Sequence, residues 1–267
     1  MPPKRVLTAL VGLPVLALLI FYSNPFIFFL ALLVTALIGQ KEFYHLQESD
    51  GFQLQKFLGL LMGALLLSGF YKGNGAMVSG ILVLFVLLAM VFRTFSGREV
   101  TQAVREISVT CFGLFYVPYL FGYLLLLRGL PEGRPWIFFL FLTVWAGDTG
   151  AYYLGTRYGK RKLFPKVSPK KTLEGSAGGL LGSLIAGGVG NFFFTIPPEG
   201  VVTMALWGAG LGLIGQVGDL AESILKRSSG LKDSGGLLPG HGGVLDRFDS
   251  ILFAAPALYY LLQSGVG

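Results

Sequence analysis

Apolar residues in this chain do not alternate with polar ones. They run on for about seventeen or more positions at a time, from one end to the other. A helix needs about 20 apolar residues to cross the ~30 Å hydrocarbon layer of a bilayer. Nine stretches meet that need, at about 6–22, 26–46, 55–71, 76–93, 106–127, 135–155, 173–196, 201–226 and 247–264. The pattern predicts an all-α polytopic membrane protein with about nine transmembrane helices. The second, sixth and eighth stretches turn amphipathic toward their ends. Lys4 and Arg5 precede the first run as they would in a signal peptide. No small-x-small site follows Tyr22, however, and a second apolar run begins at once, which predicts an uncleaved first span.

Composition strengthens this picture. Of 267 residues, 53% are hydrophobic and 13% charged, and the mean hydropathy is +0.68. Soluble domains carry about 25% charged residues, so a water-soluble fold could not hide this much apolar surface. The net charge of +7 matters through its placement. With nine spans, 18 of the 21 Lys and Arg residues fall on the side shared by the N-terminus and the loops after spans two, four, six and eight. Only Lys72, Arg128 and Arg134 fall on the other side. Basic residues stay cytoplasmic, which predicts a cytoplasmic N-terminus and a C-terminus outside. The single cysteine, Cys111, excludes an intrachain disulfide, and two histidines, His45 and His241, exclude a multi-histidine metal centre.

The texture changes along the chain. Residues 1–134 are mostly plain Leu, Phe, Val and Ala helix and are expected to be a transmembrane scaffold. Residues 135–267 are expected to be the catalytic region. The seventh span is dense in glycine, from Gly175 to Gly190. Small residues let membrane helices approach closely, which by itself accounts for the run; a cavity for lipid or nucleotide is the lesser reading.

Carboxylates at membrane depth are costly and mark candidate sites. Asp148 lies within the sixth span, either as a functional acid or as one half of a buried ion pair. At the end of the eighth, 100° per residue puts Glu222 about 60° and Lys226 about 20° from Asp219. Asp219, Glu222, Ser223 and Lys226 thus form one polar stripe at the expected cytoplasmic end. Asp246 and Asp249, three apart, share a face at the start of the ninth span, where capping of the helix is the plainer explanation. Oxygen-only ligands suit a hard ion such as Mg²⁺. Gly240, Gly242 and Gly243 around His241 suggest a loop whose backbone N–H groups can approach an anion. The basic loop 157–175 attracts anionic lipid by its charge alone. Within it, Ser168-Pro-Lys170-Lys171-Thr172-Leu-Glu174-Gly175 joins two ammonium groups and two hydroxyls to a helix start, which fits phosphate capture, with Glu174 capping the helix.

At these residues the sequence closely resembles the bacterial phosphatidate cytidylyltransferase family. The signature stands here as Ser223-Ile-Leu-Lys226-Arg227, Lys232-Asp233, and His241-Gly242-Gly243-Val-Leu-Asp246-Arg247-Phe-Asp249. Asp148-Thr-Gly-Ala-Tyr152 and the Ser168–Gly175 segment also look like the family's. The likeness covers roughly residues 145–250. It implies CTP and phosphatidic acid as substrates, CDP-diacylglycerol and pyrophosphate as products, dependence on a divalent cation, and a homodimer in membrane lipid. No nucleic-acid partner is expected.

On that footing Asp219, Asp246 and Asp249 are expected to hold Mg²⁺, alone or with a second cation, with Glu222 and Asp148 as further ligands or close neighbours. Lys226, Arg227, Lys232 and Arg247 are expected on the triphosphate or departing pyrophosphate. Ser168, Lys170, Lys171 and Thr172 are expected on the lipid phosphate or over the nucleotide, with Ser223 and His241 also facing substrate. The expected location is the inner membrane, with the active site at the cytoplasmic face. The alternatives are another CTP-using lipid enzyme, such as a polyprenol kinase or a CDP-archaeol-type synthase, and a transporter of an anionic substrate.

Overall fold

Two asparagines show how local sequence starts the long helices. Asn24 Oδ1 accepts the Ile27 N–H at 2.8 Å, with Pro25 at the first helical position. Asn74 Oδ1 accepts the Met77 N–H at 2.9 Å. The computed structural model describes residues 3–48, 54–193, 200–231, 233–235 and 242–264. They divide into two compact units, Met1–Gly129 with Ser229–Arg247, and Leu130–Ser228 with Phe248–Gly267.

The first unit holds α1 (Pro3–Tyr22), α2 (Pro25–Gln47), α3 (Lys56–Tyr71), α4 (Gly75–Thr94), α5 (Ala103–Leu114) and α6 (Leu120–Gly129). A 3₁₀ turn, Val100–Gln102, leads into α5, and a π-helical turn, Phe115–Tyr119, joins α5 to α6. Pro118 explains the π turn. It has no N–H to offer the Leu114 carbonyl, so the ladder widens rather than breaks.

The interior of this unit carries a polar chain among apolar helices. Gln40 Nε2 donates to the Gly59 carbonyl at 2.9 Å and to the Tyr44 hydroxyl at 3.0 Å. Tyr44 donates onward to the Thr110 carbonyl at 2.9 Å. Gly59, Gly63 and Gly113 leave the room these two side chains fill.

The second unit holds α7 (Gly133–Tyr158), α8 (Leu173–Phe193) and α9 (Gly200–Ser228), which pack on one another, and most of α10 (Leu245–Gln263). The glycine-dense run is where the helices touch. A Cβ on Gly178 would lie 2.7 Å from the Gly150 carbonyl oxygen, and one on Gly208 2.9 Å from the Gly187 Cα. Ser183 Oγ donates to the Thr143 carbonyl at 2.9 Å, and Gln216 Nε2 to the Ser176 carbonyl at 3.2 Å.

The protein is an all-α polytopic membrane protein, and each expected span has a helical counterpart. Five described segments, α2, Val100–Gly129, α4, α7 and α9, are long and apolar enough to cross a membrane. One expectation needs correction. The stretch 157–172, read as a loop, contains a small antiparallel hairpin of β1 (Lys162–Phe164) and β2 (Ser168–Thr172). It turns on Pro165, with the Val167 N–H donating to the Phe164 carbonyl at 3.1 Å, as proline at the second turn position favours. The described residues between Ser229 and Arg247 group with α1–α6. The physical reason is a carboxylate on α2 that binds them, described below.

Candidate active site

In the second unit the polar stripe of α9 forms as helical geometry requires, with lysines closing on its acids. Glu222 is fully buried, and Lys226, one turn on, donates to its Oε2 at 2.5 Å. Lys171, from β2, reaches Asp219 Oδ2 at 2.6 Å, with both side chains about a third exposed. Asp249, half-buried on α10, sits in the field of Asp219 and within hydrogen-bonding reach of Glu222. Three carboxylates and two ammonium groups thus share one end of α9. The hairpin that carries Lys171 is tied down at both edges. Glu174 accepts the backbone N–H groups of Lys160 and Arg161 at 3.1–3.3 Å, and Arg227 Nε donates to the Val167 carbonyl at 3.4 Å.

The helix after the hairpin is capped differently from expectation. Thr172 Oγ1 accepts the Gly175 N–H at 3.1 Å and Thr172 is buried, so its hydroxyl serves the start of α8. Glu174 reaches back to the hairpin instead. Ser168 is half-buried and Lys170 exposed on the same strand. Asp148 lies on an exposed face of α7 with Tyr152, one turn along.

In the first unit, Ser234 and residues 243–245 gather their donors around two acids. Asp246 Oδ2 accepts from Gly243 N at 2.8 Å, Ser234 Oγ at 2.9 Å and Ser234 N at 3.0 Å. Glu42, on α2, accepts from Val244 N at 3.0 Å and Leu245 N at 2.9 Å. Gly242 has φ of +79°, a left-handed conformation that a side chain would strain. Arg247 is exposed. Lys232 and His241 lie outside the described residues.

Comparison with known proteins turns on the length of the match. The model of a family described as the cytidylyltransferase family matches residues 3–264. The chain belongs to the cytidylyltransferase family. It is therefore a nucleotidyltransferase. Among its relatives, the phosphatidate cytidylyltransferase of Bacillus subtilis (strain 168) is 38% identical over 194 residues, 72% of this chain and 71% of the relative. That of Synechocystis sp. is 32% identical over 299 aligned positions, 98% of this chain and 97% of the relative. That of Staphylococcus epidermidis is 36% identical over 259 residues, 97% and 98%.

Among the described residues of this cytidylyltransferase, no group of three or more Asp, Glu, His or Cys side chains is arranged as a finished metal site. The donor chemistry fits a hard cation nonetheless. Asp219, Glu222 and Asp249 offer oxygen alone, and two of them already hold a lysine ammonium. Sequence reasoning missed Glu42. Its only signal was an acid between Lys41 and Phe43 near the end of an otherwise apolar span, with its partners about 200 residues away.

Proposed function

We propose that this membrane-embedded enzyme transfers CMP from CTP to phosphatidic acid, giving CDP-diacylglycerol and pyrophosphate, at the cytoplasmic face of the inner membrane. The observation that carries the reading is the end-to-end match to relatives that are phosphatidate cytidylyltransferases, at 97–98% coverage of both chains. The lipid phosphate is already an oxyanion at neutral pH, so it needs no protein nucleophile. One of its oxygens bonds to the α-phosphorus of CTP as the bond from that phosphorus to the bridging oxygen breaks, and pyrophosphate leaves with the electron pair.

The obstacle is charge, because one anion must approach another. Catalysis then rests on positioning and electrostatic stabilisation. Lys171 and Lys226 are the cations best supported for this work, since each is already held against a carboxylate and can exchange that anion for phosphate. Arg227, Lys232 and Arg247 are assigned to the triphosphate, Ser168 and Lys170 to the lipid phosphate, and Ser223 and His241 to substrate contact. Asp219, Asp246 and Asp249 are assigned to Mg²⁺, with Glu222 and Asp148 as further acidic groups. When bound, the ion neutralises phosphate charge and orients the nucleotide. The resemblance also implies a homodimer, which light scattering on the detergent-solubilised enzyme would read as twice the chain mass.

The test is release of pyrophosphate from labelled CTP by the purified enzyme, with and without phosphatidic acid. The expected result is label in the lipid, pyrophosphate formed only with phosphatidic acid, and loss of both on chelation with recovery on adding Mg²⁺. Release of CDP in place of pyrophosphate would make it a kinase, and turnover without incorporation into lipid would also end the proposal.

A further inference from the structure

Glu42 lies on the second-last turn of α2, in the half of the sequence expected to be scaffold, and outside every motif that carries the family likeness. Both of its carboxylate oxygens are engaged. Oε1 accepts from Val244 N at 3.0 Å, while Oε2 accepts from Leu245 N at 2.9 Å and lies 3.4 Å from Ser234 Oγ. The first N–H groups of a helix have no partner within it, and a negative charge there is favoured by the helix dipole. Glu42 supplies both to α10 from a distant part of the chain.

Asp246 grips the same segment from the other side, through Gly243 N and both donors of Ser234. Ser234 Oγ has one proton to donate; it lies 2.9 Å from Asp246 Oδ2 and 3.4 Å from Glu42 Oε2, so the hydroxyl sits between the two acids and bonds chiefly to Asp246. There is no slack around them. A Cβ on Gly235 would lie 2.7 Å from Glu42 Oε1, and one on Gly242 2.5 Å from Asp246 Oδ2. The backbone path here is specified by two carboxylates and by glycines that admit them.

We infer that Glu42 is a positioning residue for the reaction, fixing the 243–245 backbone so that the Asp246 carboxylate is held in one orientation. This rests on the reading of Asp246 as a ligand of the proposed cation. The task needs an acid. A carboxylate accepts from two N–H groups at once, whereas the amide of glutamine would turn an NH₂ donor toward one of them. Outer groups that orient a metal ligand in this way typically govern affinity and activity about 10- to 100-fold when removed.

The test uses the full-length enzyme in detergent, as wild type, Glu42→Gln, Glu42→Asp and Glu42→Ala. Two measurements are made on each: backbone hydrogen exchange in peptides covering 243–247, with α3 peptides as the reference, and CMP transfer over ranges of CTP and Mg²⁺. Glu42→Gln is expected to speed exchange at Val244 and Leu245 alone, to lower kcat about 10- to 100-fold and to raise the Mg²⁺ needed for half-maximal rate. KM for CTP should stay within about threefold, and Glu42→Asp should recover part of the rate, because only the position of the acceptors has changed.

A Glu42→Gln enzyme with faster exchange but wild-type kcat and Mg²⁺ dependence would make Glu42 a structural cap and overturn the inference. Unchanged exchange would overturn it too. If Glu42→Ala does not fold, the near-isosteric Gln variant decides. A wild type that transfers no CMP would instead overturn the proposed function and the catalytic role together, which is distinct from an active wild type matched by its variants.

Discussion

At the scale of single residues, the two lysine–carboxylate pairs of α9 differ in burial, and that difference separates chemistry from stability. Lys171 and Asp219 are about a third exposed. A pair so placed adds less than about 1 kcal/mol to stability. Asp219→Ala should therefore melt within a degree or two of the wild type in detergent while losing about a hundredfold to a thousandfold in kcat. A melting curve beside a CMP-transfer assay checks both halves. Glu222 and Lys226 are different, at 0% and 13% exposed. Removing one partner of a buried pair strands the other charge and costs about 3–5 kcal/mol. Glu222→Ala should therefore fall in both assays, with a lower denaturant midpoint as well as a lower rate. Asp219 and Lys226 were legible in the sequence because a seven-residue separation returns a helix to nearly the same face. At Thr172 a hydroxyl at a helix start suits phosphate capture and N-capping equally in sequence, and the Gly175 N–H at 3.1 Å shows that it caps α8. Glu42 was not legible, since nothing within its own helix predicts donors on the far end of the chain.

At the scale of elements, hydropathy found the helices because each must satisfy its own backbone in lipid, where length and apolar content are the controlling variables. The hairpin escaped that reading. Its strands are short and rich in lysine, and β2 carries Pro169, features that argue against a strand unless it is exposed and at an edge, as this one is. What packs helix on helix was legible as glycine density, though not which glycines bear contact. Gly178 faces Gly150 and Leu154, whereas Gly210, on α9, has open space where a Cβ would go. Gly178→Leu should separate α7 from α8 and lower the melting temperature sharply. Gly210→Ala should hold or raise it, by up to about 1 kcal/mol of helix propensity. A second element-level device is Arg93 at the end of α4. It is 5% exposed, meets Glu106 of α5 at 2.6 Å, and donates to the carbonyls of Arg98 and Glu99. Glu106→Ala should cost about 3–5 kcal/mol in detergent unfolding. The surviving folded enzyme should keep its kcat, since neither Arg93 nor Glu106 is among the groups assigned to substrate.

At the scale of the whole molecule, the number of crossings decides which loops face the cytoplasm, and the basic residues weigh on that number. Five segments qualify as spans on length and hydropathy alone. Were they the only crossings, the Lys and Arg residues would divide 12 to 9 between the two faces. Nine crossings divide them 18 to 3, the asymmetry a cytoplasmic membrane imposes. The helix on which the two counts differ most consequentially is α8. It has 21 residues, long enough at 1.5 Å each to span about 30 Å, and a glycine-rich face that packs on α7 and α9. Its crossing can be read from three positions of the second unit, in an enzyme whose one native thiol is removed by Cys111→Ser. If α8 crosses, Lys160→Cys and Ser228→Cys lie on the same side, and both stay unlabelled by a membrane-impermeant thiol reagent until cells are opened. Arg134→Cys, before α7, is labelled in intact cells. If α8 instead stays on one face, Ser228→Cys is labelled from outside while Lys160→Cys is not. That outcome would place the end of α9, with Lys226 and Arg227, away from cytoplasmic CTP, and the proposed reaction would lose its nucleotide.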